Sequence, residues 1–217
     1  MKKFIVLLVL ILLPLLSGCS LLEFLFDAEV QEAVNTNDPT ACAELEEDKA
    51  RRNCYNKLAL KNDDMTICDE VQGVNAQDEC KRDIVDEKDD PDLCAKLGQD
   101  RTRDDCYLSF AREANDPKMC ELIVTGEEQS KCYIHMAEEL NDKKYCDQVS
   151  TGYLVAKCYT NAALAEENAD VCDSIANSIQ KDECKKRVAA ETGNILLCDQ
   201  IEDGREKDKC VSGFAVK

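Results

Sequence analysis

Residues 116–141 read DPKMCELIVTGEEQSKCYIHMAEELN, and residues 142–167 read DKKYCDQVSTGYLVAKCYTNAALAEE. Laid over one another, the two stretches share Asp at position 1, Cys at 5 and 17, an aliphatic residue at 8, Gly at 11, Tyr at 18 and Ala at 22. The same ruler extends both ways along the chain. From Cys42 to Cys210 the cysteines are separated by intervals of 12 and 14 residues that alternate without an error. This is a 26-residue repeat in seven copies, starting at Asp38, Asp64, Asp90, Asp116, Asp142, Asn168 and Asn194. A fixed period of that size means stacked supersecondary units.

Each unit reads as two helices. Asp or Asn at position 1 is a good N-cap, and Pro39, Pro91 and Pro117 at position 2 suit a first helical turn. Apolar residues at 4, cysteines at 5 and aliphatics at 8 (Leu45, Val71, Leu97, Ile123, Val149, Ile175, Ile201) follow the spacing of one helical face. Gly73, Gly98, Gly126, Gly152 and Gly204 then mark a turn. In the second helix Cys at 17 is followed by an apolar residue at 21 and a small one at 22, which is Ala in six copies and Val85 in the other. The small residue points to close approach of a neighbouring backbone. Polar residues at 24–26 end the unit. A helical hairpin results, with a helix of about two turns followed by one of about three. One hairpin cannot bury its apolar face alone, so the expected fold is all-α, an α-solenoid of seven hairpins.

Pairing within hairpins joins Cys42–Cys54, Cys68–Cys80, Cys94–Cys106, Cys120–Cys132, Cys146–Cys158, Cys172–Cys184 and Cys198–Cys210 and leaves no repeat thiol over. Pairing between hairpins strands Cys42 and Cys210. Positions 5 and 17 lie at nearly equal heights either side of the turn, whereas the other register is mismatched by about 4–5 Å at 1.5 Å per residue. A disulfide wants Cα atoms roughly 5.5 Å apart, so the matched register is expected. Closing a loop of about 13 residues stabilises each hairpin by about 3 kcal/mol in the chain-entropy model. Regular bridging requires an oxidising compartment. Zinc is the competing use of cysteine clusters, but no CxxC pair occurs, so no metal and no cofactor is expected.

The N-terminus supplies the compartment independently. Met1-Lys2-Lys3 precedes the apolar run Phe4–Leu16 and then Ser17-Gly18-Cys19, the pattern of a secretory signal too short to span a bilayer. Leu16-Ser17-Gly18-Cys19 also resembles a lipobox, the prokaryotic lipoprotein motif. The resemblance implies cleavage after Gly18 and a diacylglycerol thioether on Cys19, hence a chain held to the membrane by lipid and facing the extracytoplasmic or periplasmic space. Two acyl chains give stable attachment where one does not. Cleavage leaves 25 basic against 45 acidic side chains, so the lipid and not the protein surface must do the holding. The organisation expected is a signal peptide over 1–18, a lipidated tether over 19–37 with a cap helix around Glu23–Asn35, and the repeats over 38–217.

A formal charge of −18 argues against nucleic-acid binding. The single histidine, His135, leaves little for His-based catalysis or metal ligation, and it falls at position 20, read as a solvent face. Tyr55, Tyr107, Tyr133 and Tyr159 at position 18 form either an exposed ridge able to anchor a peptide or glycan, or packing against a neighbouring hairpin. The acidic runs around Glu44–Asp48, Asp86–Asp90 and Glu202-Asp203 lack the ligand order of a calcium loop and read as solvated helix ends. No catalytic motif stands out, and no enzyme is expected. The repeats are loosely similar to Sel1-like and TPR-type α-solenoids, including cysteine-rich ones bridged across each hairpin. Those run at about 34–36 residues per repeat, against 26 here, so the likeness covers architecture alone. The functional expectation is a binding or scaffolding module for a protein or peptide partner at the cell envelope. The alternatives are a structural spacer without specific ligand, or a cell-wall enzyme or accessory factor.

Overall fold

A computed structural model describes residues 28–215. Cys19, the signal segment and the first part of the tether lie outside the described residues. Helices and turns account for the described chain, without a strand among the described residues. The sequence divides into two compact units that meet at Gln99 and Asp100.

Every repeat is a hairpin of a short first arm and a longer second helix. The second helix is α-helical, 11–15 residues long, from Asp48–Asn62 in repeat 1 to Gly204–Phe214 in repeat 7. The first arm is a six-residue 3₁₀ helix in five repeats, Met65–Glu70, Pro91–Lys96, Lys143–Gln148, Ala169–Ser174 and Ile195–Gln200. In repeats 1 and 4 it is a five-residue α-helix, Pro39–Ala43 and Pro117–Glu121. The expected face over positions 4, 5 and 8 is therefore not that of a continuous α-helix. In a 3₁₀ helix residues three apart eclipse one another, and in those five repeats position 8 has already left the helix in an extended conformation, as at Val71 with φ −71° and ψ 136°. Its N–H still donates to the carbonyl of the bridged cysteine three residues back, 3.1 Å for Val71 on Cys68.

Both ends of each hairpin are fixed by short-range hydrogen bonds. The side chain at position 1 accepts from the backbone N–H two residues on in all seven copies, at 2.9–3.1 Å from Asp38 to Asn194. The residue just before it is left-handed every time: Asn37, Asp63, Asp89, Asn115, Asn141 and Glu167 at φ 47–59°, and Gly193 at φ 69°. A left-handed residue after a helix turns the chain so that the next N–H reaches back to the last free carbonyls. Asp64, Asp116, Asp142, Asn168 and Asn194 donate in this way to Ala59, Ala111, Ala137, Ala163 and Ala189, at 2.9–3.2 Å. These acceptors are the small residues of position 22.

The bridges follow the within-hairpin register. Six have Cα atoms 5.5–5.8 Å apart, and Cys94 and Cys106 are likewise disulfide-bonded, giving seven intra-repeat disulfides. Every bridged sulfur residue is at most 4% exposed. Position 21 lies beside them, with Leu58, Ile84, Met136 and Val188 no more than 1% exposed. Burying each contributes about 1.5–3 kcal/mol.

In the first unit, residues 28–36 are helical. They place Val30, Ala33 and Val34 in one core with Ala50, Cys54, Leu58, Ile67, Cys68 and Ile84. The ammonium of Lys61 donates to the Val34 carbonyl at 2.9 Å, tying this helix to repeat 1. In the second unit the second helices of consecutive repeats pack side by side, and the core ends in a cluster of Ala189, Cys198, Ile201 and Cys210 with Leu197 and Phe214 against it.

Replacing Cys120 and Cys132 together by Ser should lower stability by about 2–5 kcal/mol. Denaturant unfolding of the variant and parent checks this, and an unchanged midpoint would make the bridge incidental.

Candidate functional site

The bridge between positions 5 and 17 places positions 6 and 18 opposite each other. Lys81 meets Asp69 at 2.6 Å and Lys185 meets Asp173 at 2.8 Å. In repeat 5 the Tyr159 hydroxyl donates to Asp147. Burial first, then this hydrogen bond and the Asp147 charge, push the Tyr159 hydroxyl up to about 12.

Tyr55, Tyr107, Tyr133 and Tyr159 are 6–7% exposed. They form no exposed ridge: their rings pack, and the stacking platform weighed above is corrected to the packing alternative. The bridge directly before each tyrosine draws its backbone inward, so the ring follows it into the core. His135 also departs from its solvent-face reading. It is half-buried, and its Nε2 is enclosed without a hydrogen-bond partner among the described residues. Its neighbours Ile134 and Met136 are 5% and 0% exposed, which sets that stretch of helix deep among apolar residues.

A second contact ties one repeat to the next. The side chain at position 15 of the second helix reaches the turn of the following hairpin and accepts from the N–H groups at positions 9 and 10. Asp78 accepts from Gly98 at 2.6 Å and Gln99 at 3.0 Å. Asp104 accepts from Val124 at 3.0 Å and Thr125 at 2.9 Å, and Asp182 from Glu202 at 3.0 Å and Asp203 at 2.9 Å. These carboxylates are 0–3% exposed. Approach is close: a Cβ on Gly98 would stand 3.2 Å from the Val74 side chain and 3.3 Å from Asp78 Oδ1. Ser130 is a weaker form, accepting from Ser150 at 3.2 Å, and Ala156 fills the place by packing at 7% exposure.

The junction of repeats 1 and 2 breaks the rule. Position 15 there is Arg52, exposed and without an ion pair or hydrogen bond among the described residues. Position 6, acidic in five of the other repeats, is Ala43. Around these two replacements lies a cleft of about 600 Å³, lined by Ala43, Asp48, Arg51, Arg52 and Tyr55 from repeat 1 and by Glu70, Val71 and Gln72 from repeat 2. Arg51 is occupied by its own turn, donating to the Leu45 carbonyl at 2.6 Å and the Glu46 carbonyl at 2.9 Å, and it pairs with Asp48. Tyr55 is 6% exposed, and its hydroxyl makes no hydrogen bond among the described residues. Burial, then the nearby Glu70 carboxylate, push that hydroxyl up, with Arg51 opposing, so it stays a neutral donor at ordinary pH. The turn also differs. Gly73 sits at φ 90°, where Thr125, Thr151, Asn177 and Asp203 sit between −76° and −84°.

No group of three or more His, Cys, Asp or Glu able to hold a metal ion is present among the described residues. No family model matches the chain, and no curated protein or solved structure is detectably similar to it.

Replacing the buried Asp104 by Ala removes two charge-assisted hydrogen bonds to the next turn and should cost about 3 kcal/mol. Asp208→Ala, at the same repeat position but exposed, should change stability by no more than about 0.5 kcal/mol. Equal effects in denaturant unfolding would contradict the junction role. A raised hydroxyl pKa favours the folded state below the ordinary tyrosine value of 10.0, and that contribution is lost as pH rises towards about 12. Ultraviolet titration should therefore find Tyr159 ionising near 12, and Asp147→Ala should bring it down.

Proposed function

We propose that the chain is a lipid-anchored binding module of the cell envelope, attached through Cys19, facing the extracytoplasmic or periplasmic space and holding a protein or peptide. The observation that supports this best is the open junction between repeats 1 and 2. Elsewhere three junctions are clamped by a buried carboxylate, one by a serine, and one is filled by the buried Ala156 without a clamp, whereas here an exposed arginine stands beside a cleft. Here the frame is kept rigid by bridges on either side, Cys42–Cys54 and Cys68–Cys80, while the gap between them is lined by polar and charged groups. A preformed cleft of this size on a stapled scaffold binds with little ordering cost.

The compartment reading rests on the oxidised cysteines together with the lipobox-like Leu16-Ser17-Gly18-Cys19. No described helix is long and apolar enough to cross a membrane. The two-chain lipid on Cys19 is then the attachment, for a body too acidic to adhere to anionic headgroups. Changing Cys19 to Ala should move the protein from the membrane fraction to the soluble one and abolish incorporation of labelled lipid. Retention of the variant at the membrane would overturn the anchor. Pull-down from native envelopes with the oxidised body lacking its anchor should recover a defined partner.

A further inference from the structure

We infer that the cleft between repeats 1 and 2 is a receptor for the carboxylate of a peptide, which enters where this junction lacks the acidic side chain that three of its counterparts carry. This rests on the binding-module reading and names the chemistry that the module recognises. The chain itself shows what such a turn holds: three other turns each bind a buried carboxylate through two consecutive N–H groups, from Asp78, Asp104 and Asp182. At the first junction the equivalent donors, on Gln72 and Gly73, have no acceptor among the described residues.

Two side chains able to hold a carboxylate line the same cleft as Gln72. Arg52 replaces the missing acid with a cation and is unpaired among the described residues. The Tyr55 hydroxyl, on a ring more than nine-tenths buried, lines the cleft with its proton undonated. Its counterpart Tyr159 donates to a carboxylate, Asp147, at the position that is Ala43 here. Both acidic positions of the junction have thus been lost around one cavity, and a cation has been gained. A guanidinium and a hydroxyl converging on one carboxylate make charge-assisted hydrogen bonds, the stronger kind. Gly73 at φ 90° gives this turn a conformation open to glycine and costly for the Thr, Asn and Asp of the other copies.

The remaining charges refine the ligand. Arg51 and Asp48 pair with each other, which leaves Arg52 and Glu70 as the charges of the cleft lining without an ion pair among the described residues. Glu70 opposes any anion here, and a phosphate carrying a second negative charge more strongly than a singly charged carboxylate. A cleft of about 600 Å³ takes the end of a peptide and not a folded domain.

The test uses the oxidised protein and N-acetyl-trialanine, with the C-terminal amide of the same peptide and inorganic phosphate as comparators, followed by backbone amide resonances. Saturable shifts of Gln72 and Gly73 are expected with the free acid, and binding of the amide should be about tenfold or more weaker. Tyr55→Phe should weaken the free acid about tenfold. Arg52→Asp should fill the turn with the protein's own carboxylate, moving the Gly73 resonance without ligand and abolishing the titration. Equal binding of acid and amide, phosphate matching the acid, shifts confined to other repeats, or undiminished binding by Arg52→Asp would each overturn the assignment. An envelope pull-down that returns a defined partner while this titration stays flat removes the carboxylate receptor and leaves the binding module standing.

Discussion

The disulfide between positions 5 and 17 is the constraint from which the other contacts follow. A six-residue 3₁₀ helix has too few hydrogen bonds to persist alone, and it contributes at most two well-buried side chains besides the cysteine, Ile67 alone in repeat 2 and none in repeats 3, 5 and 7. Welding it to a longer α-helix sets its height. Position 6 then falls opposite 18, which gives Lys81–Asp69, Lys185–Asp173 and Tyr159–Asp147. The turn is held at a fixed distance from the helix of the preceding repeat, so Asp78, Asp104 and Asp182 can reach it with both oxygens. Without the bridge the turn would be one of many accessible loop conformations, and a carboxylate buried against it would lose its donors.

Carboxylates do structural work throughout this acidic chain. At position 1 they cap helices, and the N–H and side-chain hydrogen bonds of the first turn draw the Asp38, Asp64 and Asp142 carboxyls below their ordinary range. At position 15 they are buried and clamp the next hairpin. The exposed acids are partly offset by local partners: Lys186 and Lys209 hold Glu206 down to about 2, and Lys131 lowers Glu127. A chain of −18 net charge is therefore compatible with tight stacking, because many of its acids already have donors or cations beside them.

Much of the architecture was legible from spacing, for physical reasons. Equal heights across an antiparallel hairpin decide the disulfide register, and Asp or Asn before a short apolar run decides the cap, so both emerge from counting. The 3₁₀ character of the first arm does not, since apolar residues at 4, 5 and 8 fit either helix, and repeats with the same bridge adopt both. The left-handed position was hidden by chemistry: six of its seven occupants are Asn, Asp or Glu, not Gly. Tyr55, Tyr107, Tyr133 and Tyr159 are ambiguous in sequence because tyrosine suits both a surface ridge and a half-polar core. The junction site was missed outright. Its signal lies in reading position 15 down the repeats as Arg52, Asp78, Asp104, Ser130, Ala156, Asp182 and Asp208, where the first residue reverses the sign of the charge. In a sequence this rich in acids, Asp78, Asp104 and Asp182, each on its own helix, look like ordinary solvated residues until burial is known.

One left-handed residue is all that separates the end of one hairpin from the cap of the next. Such a joint tolerates no insertions or deletions of a residue or two, because either would turn the following bridge and its clamp away from their partners. Changes in length are therefore quantised: the chain can grow or shrink by duplication or excision of whole 26-residue blocks. Any block carrying an unpartnered basic residue in place of the clamp would arrive with a cleft already built into it.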